Sequence, residues 1–231
     1  MKSDRVCLHT FETPALLVDA LAEAIADNLA DAITNKGSAT LMVSGGSTPK
    51  ALFEALSHID LGWKQVTVGL VDERWVDGTH HDSNAKLVRE HLLQHCAKKA
   101  TFIEMYIPNL SAHEAEKRCH NSLEAYAPFD VIILGMGGDA HTASLFPNNP
   151  RLDEAYKTVR HCIAITPQDA PHERMSLSLY ALLHVKHLYL HFEGSAKKAV
   201  FDQAMQADDP INMPISAVLH NDKKDVEVYY A

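Results

Sequence analysis

A carboxylate and an imidazole two residues apart, Asp139 and His141, stand in a glycine-rich stretch, Gly135-Met136-Gly137-Gly138-Asp139-Ala140-His141-Thr142-Ala143-Ser144. That pairing suits acid–base work: the carboxylate orients the ring and raises its basicity, and an imidazole titrates near neutral pH. A loop histidine that only bonds the backbone is the plainer alternative. The position directly after the most apolar run of the chain, Phe129–Leu134, favours the acid–base pair. The same stretch matches G-x-G-x-x-A, a dinucleotide fingerprint that calls for a long amphipathic helix next. Pro147 and Pro150 interrupt any such helix. The following apolar run, Val159–Ile165, ends in Thr166-Pro167 without an acidic residue to hold a ribose, so nicotinamide binding is the weaker reading.

Three further groups could work beside that pair. Ser44-Gly45-Gly46-Ser47-Thr48-Pro49 follows another apolar run and opens a helix. Two glycines allow close approach of backbone to ligand, and hydroxyls, free amides and a helix amino end together favour an anion. A tight turn with Thr48 as N-cap is the alternative, but it needs only one glycine and one cap. The loop is neither a Walker A sequence nor a nucleophile elbow, so no serine nucleophile is assigned. Asp72-Glu73-Arg74-Trp75 follows a third apolar run; Arg74 could meet an anion or a developing oxyanion, against the alternative of an exposed ion-paired turn. Arg174 and Lys197 are late cations, the second in the first turn of a helix whose amino end already favours an anion.

Metal chemistry is expected to be absent from the site. No H-E-x-x-H motif and no local Cys/His cluster stands among the 15 histidines and four cysteines. His184, His187 and His191 straddle a helix end and a strand, and alternation is expected to turn them to different faces. Cys7, Cys96, Cys119 and Cys162 read as buried thiols of a reducing compartment.

The elements that must hold these residues follow from periodicity. Helices are expected over 13–33, with Thr13 as cap and Pro14 at its first position, and over 49–56, 83–95, 112–126 and 195–205. Strands are expected over 39–43, 65–71, 129–134, 159–165, 175–179, 188–192 and 226–230. Strands alternating with helices imply an α/β fold, a mostly parallel sheet with helices on both faces in Rossmann-type layers. Ligands of such sheets bind beyond the carboxyl ends of the strands, where the loops after Val43, Val71, Leu134 and Phe192 would meet.

Bulk properties narrow the partners. The 231 residues read as one domain, 1–231, without internal repeat or linker. A formal net charge of -9 argues against nucleic acid and anionic membrane surfaces, while leaving a locally cationic anion site possible. Lys2, Asp4 and Arg5 interrupt the amino terminus, which does not read as a signal peptide, and no apolar run reaches membrane-spanning length; a cytoplasmic location is expected.

Taken in order, SGGSTP (44–49), VDERWV (71–76), SNAKLVREHLL (83–93), DVIILGMGGDAHTASLFP (130–147), PHERMSLSL (171–179) and GSAKKAV (194–200) resemble the 6-phosphogluconolactonase family over most of the chain. The resemblance implies a single NagB/RpiA-like domain, a sugar-phosphate lactone as substrate, no cofactor and a cytoplasmic site; a monomer is expected. Carried over to this chain, it implies that Ser44, Gly45, Gly46, Ser47 and Thr48, with Arg174 and Lys197, hold the phosphate. His141 is then the general base on water, Asp139 orients it, Arg74 binds substrate or the oxyanion, and Asp72 shapes the pocket floor. The family pattern reads Asp-Gly-His where this chain has Asp139-Ala140-His141; with a positive φ there, alanine is strained by roughly 1 kcal/mol. Glucosamine-6-phosphate deaminases share much of the pattern but carry an Asp-Glu-Tyr type sequence in place of Asp72-Glu73-Arg74-Trp75. A non-catalytic sugar-phosphate sensor is the other alternative; such modules tend to carry a DNA-binding segment, and no basic helix-turn-helix pattern is found.

Overall fold

The computed structural model describes residues 5–231; Lys2 and Asp4 lie outside the described residues. The chain runs β1 (Val6–Thr10), α1 (Pro14–Lys36), β2 (Ala39–Val43), α2 (Lys50–His58), β3 (Val66–Leu70), β4 (Asp72–Arg74), α3 (Asn84–His91), β5 (Thr101–Phe102), α4 (Ala112–Glu124) and β6 (Phe129–Leu134). It continues through α5 (Leu152–Lys157), β7 (Cys162–Ile165), β8 (Arg174–Leu177), α6 (Leu179–Leu183), β9 (Val185–Phe192), α7 (Ser195–Gln206), α8 (Ser216–Leu219) and β10 (Val226–Tyr230).

Seven strands form one sheet in the order β1-β10-β9-β6-β2-β3-β5, every pairing parallel. Its central strands β2 and β6 are buried along their whole length, which is why they read as nearly continuous apolar runs, broken only by Thr40 and Asp130. Asp130 locks their starting ends together: its carboxylate accepts from the Thr40 backbone N–H (2.8 Å) and hydroxyl (3.1 Å) and pairs with Lys36 (2.9 Å).

Helices cover both faces. On β9, the Tyr189 hydroxyl accepts from Asn28 of α1 (2.5 Å), while Phe192, of opposite parity, packs on Phe201 of α7. The long helix α1 starts at Thr13, whose side chain accepts from the Leu16 N–H, and stops at Gly37 in the left-handed region (φ 78°). Its buried stripe Leu17, Leu21, Ile25 and Leu29 contributes about 1.5–3 kcal/mol per side chain.

Two expectations are corrected. First, the segments 159–165 and 175–179 do not join the main sheet. They form β7 and β8 of a separate three-stranded sheet, order β4-β8-β7, in which β8 pairs antiparallel with both β4 and β7. Asp72-Glu73-Arg74 is therefore a short strand, not a loop. Val159 is too exposed to serve as the first residue of a buried strand. Second, the thiols differ: Cys119 and Cys162 are buried, Cys96 is half-buried and Cys7 is exposed, because Cys7 lies on the edge strand β1. Among the described residues no helix is long and apolar enough to cross a membrane.

Candidate active site

A cleft of about 230 Å³ opens at the carboxyl ends of the central strands. Its walls include Ser44–Pro49 after β2, Asp72 and Arg74 of β4, Asn84 of α3, Gly135–Gly137 and His141 after β6, His191 of β9 and Lys197 of α7. The four loaded loop regions expected from the sequence do converge there.

The loop after β2 is shaped by its glycines. A Cβ on Gly45 would lie 1.9 Å from Asn84 Oδ1, and Gly46 has φ 99°, so neither position takes a side chain without strain. No side chain caps α2, whose first turn follows Pro49 directly. Thr48 is thus not the N-cap that a plain turn would use. The backbone N–H groups of Gly45, Gly46, Ser47 and Thr48 donate to no protein group among the described residues. Ser44 departs from the expected role. Its hydroxyl donates to the Ile133 carbonyl (3.0 Å) and accepts from the Gly135 N–H (3.2 Å), tying the ends of β2 and β6 together. The hydroxyls left for a ligand are those of Ser47 and Thr48.

Several donors of the loop after β6 bond within the loop. Gly137 donates to the His141 carbonyl (2.9 Å), Ala140 donates to the Gly137 carbonyl (3.1 Å) and Thr142 donates its hydroxyl proton to the Gly135 carbonyl (2.9 Å). Asp139 Oδ1 sits 2.6 Å from His141 Nδ1 and also accepts from the His141 N–H at 3.2 Å. The carboxylate on Nδ1 assigns the proton to that nitrogen and leaves the Nε2 lone pair free. That contact holds the Asp139 carboxyl below the usual carboxylate range. The ring stays 34% exposed and rests against Phe146, with centroids 4.9 Å apart. Gly137 is required by contact, because a Cβ there would lie 2.2 Å from Nδ1. Ala140 does adopt a positive φ, 67°, the strained conformation anticipated for that departure from the family pattern.

The acidic cluster divides its labour. Asp72 is buried, accepts from the Ser144 hydroxyl (2.6 Å) and reaches the cleft floor. Glu73, to which sequence reasoning assigned no role, is fully buried and accepts from the backbone N–H groups of Arg74, Asn84 and Ala85 at 2.7–2.8 Å. It is the anion at the amino end of α3. Burial pushes its pKa up, against the pull of those N–H groups.

Arg74 and Arg174 are direct cross-strand partners of β4 and β8. Arg74 lines the cleft and donates to the Asp82 carbonyl (2.7 Å). Arg174, expected to meet phosphate, does not line the cleft. It is buried, donates to the Pro171 carbonyl (3.1 Å) and leaves its Nε without a partner. Burial first, and then the charge of Arg74, lower its pKa. It is a second positive charge directly across the strand pair from Arg74.

Lys197 reaches the cleft from the first turn of α7 and, among the described residues, has no ion pair. Sequence reasoning passed over two wall residues. Asn84 donates to the Asp72 carbonyl (2.8 Å), and buried His191 contacts Glu193 (3.1 Å). Asn84 stands in the run 83–93, and its side chain fills the space that a side chain at position 45 would need. The expectation for the three late histidines is corrected as well. His187 and His191 lie on one face of β9, and about 13 Å of strand separates them, so distance rather than alternation keeps them apart.

Parallel strands ending in an uncapped, cation-lined cradle beside a carboxylate-backed histidine define a class: α/β proteins that hold a small anion and can move a proton next to it. The chain belongs to the glucosamine-6-phosphate isomerases/6-phosphogluconolactonase family, whose model matches residues 12–228. It is 42% identical over 231 residues to a 6-phosphogluconolactonase of Neisseria meningitidis serogroup A, covering 96% of this chain and 98% of that one. A 6-phosphogluconolactonase of Rhizobium meliloti is 41% identical, with 97% and 98% covered. The crystal structure of a 6-phosphogluconolactonase from Shewanella baltica OS155 matches with a TM-score of 0.96 at 42% identity, over 100% of this chain and 99% of that one. The fold is NagB/RpiA-like.

Proposed function

We propose that this chain hydrolyses 6-phospho-D-glucono-1,5-lactone to 6-phospho-D-gluconate, the lactone-opening step of the oxidative pentose phosphate pathway. The observation that carries the reading is the His141–Asp139 pair facing an open anion cradle, in a chain about 42% identical to 6-phosphogluconolactonases along nearly its whole length.

The phosphate sits against the free N–H groups after β2, the Ser47 and Thr48 hydroxyls and Lys197, where an uncapped helix end adds its dipole. His141 Nε2 accepts a proton from water as the water oxygen bonds to C1 of the lactone. Asp139 keeps the ring in the reactive tautomer and stabilises the imidazolium. Arg74, with Arg174 behind it, faces the carbonyl oxygen as it becomes an oxyanion. Collapse of the tetrahedral intermediate breaks the bond from C1 to the ring oxygen, and His141 returns its proton to that oxygen. The new carboxylic acid loses its proton to solvent, so each turnover releases one proton. Asp72, fixed by Ser144, shapes the floor under the sugar. On this reading the chain acts as a single-domain monomer in the cytoplasm with no cofactor.

The test is proton release from freshly generated 6-phosphogluconolactone, with spontaneous opening subtracted and the unphosphorylated lactone as control. Fast opening of the phosphorylated substrate alone is expected. Acceleration of neither lactone overturns the reading, and ammonia release from glucosamine 6-phosphate then distinguishes the other branch of the family.

A further inference from the structure

At the edge of the sheet farthest from β5, three residues of different chemistry converge. Cys7 and His9 lie two apart on β1 and so share a face, and Glu227 stands directly opposite Cys7 in the β1–β10 register. One ligand atom from each lies within 4.8 Å of the other two, and His9 Nε2 is 2.6 Å from Glu227 Oε2. More than 200 residues separate Glu227 from the other two, so no local motif announces the group. We propose that Cys7, His9 and Glu227 form a binding site for a zinc-class divalent cation, separate from the lactone cleft.

The donor set argues for that ion. One thiolate, one imidazole and one carboxylate make a mixed soft and borderline set, which suits Zn²⁺ and disfavours Mg²⁺ and Ca²⁺. Bonds of about 2.0–2.3 Å place tetrahedral ligands about 3.3–3.8 Å apart, so small side-chain rotations close the triangle. Solvent supplies the fourth ligand, since Cys7 is exposed and the side chains of His9 and Glu227 are 38% and 41% exposed.

The backbone beneath is already fixed. β1 pairs with β10 in parallel from Val6 to Thr10, and the ladder extends through Val226 N–H to the Arg5 carbonyl (2.7 Å) and Phe11 N–H to the Tyr230 carbonyl (2.9 Å). The Tyr229 ring lies 4.8 Å from that of His9 and 5.6 Å from that of Phe11, which limits how far the imidazole can turn. Binding therefore needs side-chain movement and loss of the thiol proton, without rearrangement of the strands. The site lies three strands from β6, and no residue of it lines the cleft.

The test uses the untagged, metal-free chain titrated with Co²⁺. The expected result is one ion per chain, visible as a thiolate-to-cobalt charge-transfer band with the visible bands of tetrahedral cobalt, and bleached by added Zn²⁺. Cys7→Ser should remove the charge-transfer band. His9→Ala and Glu227→Gln should weaken binding by more than the ~10–100-fold that outer-sphere changes cost. Lactone turnover should be unchanged in all three. These side chains lie at the surface, and an unchanged melting temperature without metal confirms folding of each variant. Absence of a cysteine-dependent band at saturating cobalt overturns the site. So does a band that survives Cys7→Ser, which would place the thiolate ligand elsewhere. Binding without any charge-transfer band also overturns it and directs attention to His80, Asp82 and His172, a second cluster with no sulfur.

Discussion

Two glycine-bearing loops leave adjacent buried strands, and they spend their backbone groups in opposite ways. After β2, the N–H groups of Gly45–Thr48 find no acceptor among the described residues and α2 goes without a side-chain cap. After β6, Gly137, Ala140 and Thr142 all donate within the loop, and Asp139 takes both the ring and the N–H of His141. Open donors are useful where a ligand will satisfy them. Spent donors are useful where one side chain must hold a single orientation. The contrast separates binding from proton transfer before any substrate is considered.

If that division is right, variants in the two loops should alter different kinetic constants. The largest effect is expected from His141→Ala: kcat should fall by about 10²–10⁴-fold, the usual range for loss of a general base, with product affinity nearly intact. Near-normal turnover above the spontaneous rate would remove His141 from the mechanism. Gly137→Ala should come next. Its Cβ would collide with His141 Nδ1, so kcat should drop by about 10²-fold while KM stays close to that of the parent. A change confined to KM would mean that the loop binds rather than orients.

At the anion cradle, which Lys197 of α7 borders, the constants should exchange roles. Lys197→Ala removes a charge-assisted contact of about 1.5–3 kcal/mol, so KM should rise by about 10–150-fold with kcat largely kept. A fall in kcat alone would move Lys197 from the phosphate to the reacting carbonyl. Asp139→Asn tests the wired loop through pH. The Asp139 carboxyl is held low chiefly by its hydrogen bond to His141, so its contribution to stability is full above the unfolded value of about 3.9. That contribution is lost as pH falls through the lower folded value. Denaturant unfolding should show the parent more stable than the variant near neutrality, with the gap closing on acidification below about pH 4. A gap that widened there would reverse the assignment. The smallest effect is expected from Ala140→Gly, which relieves a positive φ. A gain of up to about 1 kcal/mol in unfolding free energy with little change in turnover is expected, and a loss of stability would show that the position is not strained.

Much of this was legible in the sequence wherever one physical signal dominated. β2 and β6 fall where their runs begin and end, because burial leaves little polar alternation to confuse the reading. Asp139 and His141 were legible because their spacing is local. The edge strand β1 was not, since its exposed face carries Cys7 and His9. The small sheet was hidden because β4 has three residues and its partners come about 100 residues later. Glu73 looked like part of a surface charge cluster, and only folding shows it bonded to the first turn of α3. Arg174 read as a lone late cation, and only folding shows that it is buried with Arg74 as its strand neighbour.

The Ser44 hydroxyl, bridging the Ile133 carbonyl and the Gly135 N–H, turns the cleft into a ruler. On the proposed function it sets how far the phosphate end stands from the reacting end. A lactone phosphate one carbon shorter, anchored at the same end, presents its carbonyl about 1.5 Å short of His141. A misplacement of that size costs a reaction about 10²-fold or more. On that reading, a serine that need not touch the sugar selects its chain length.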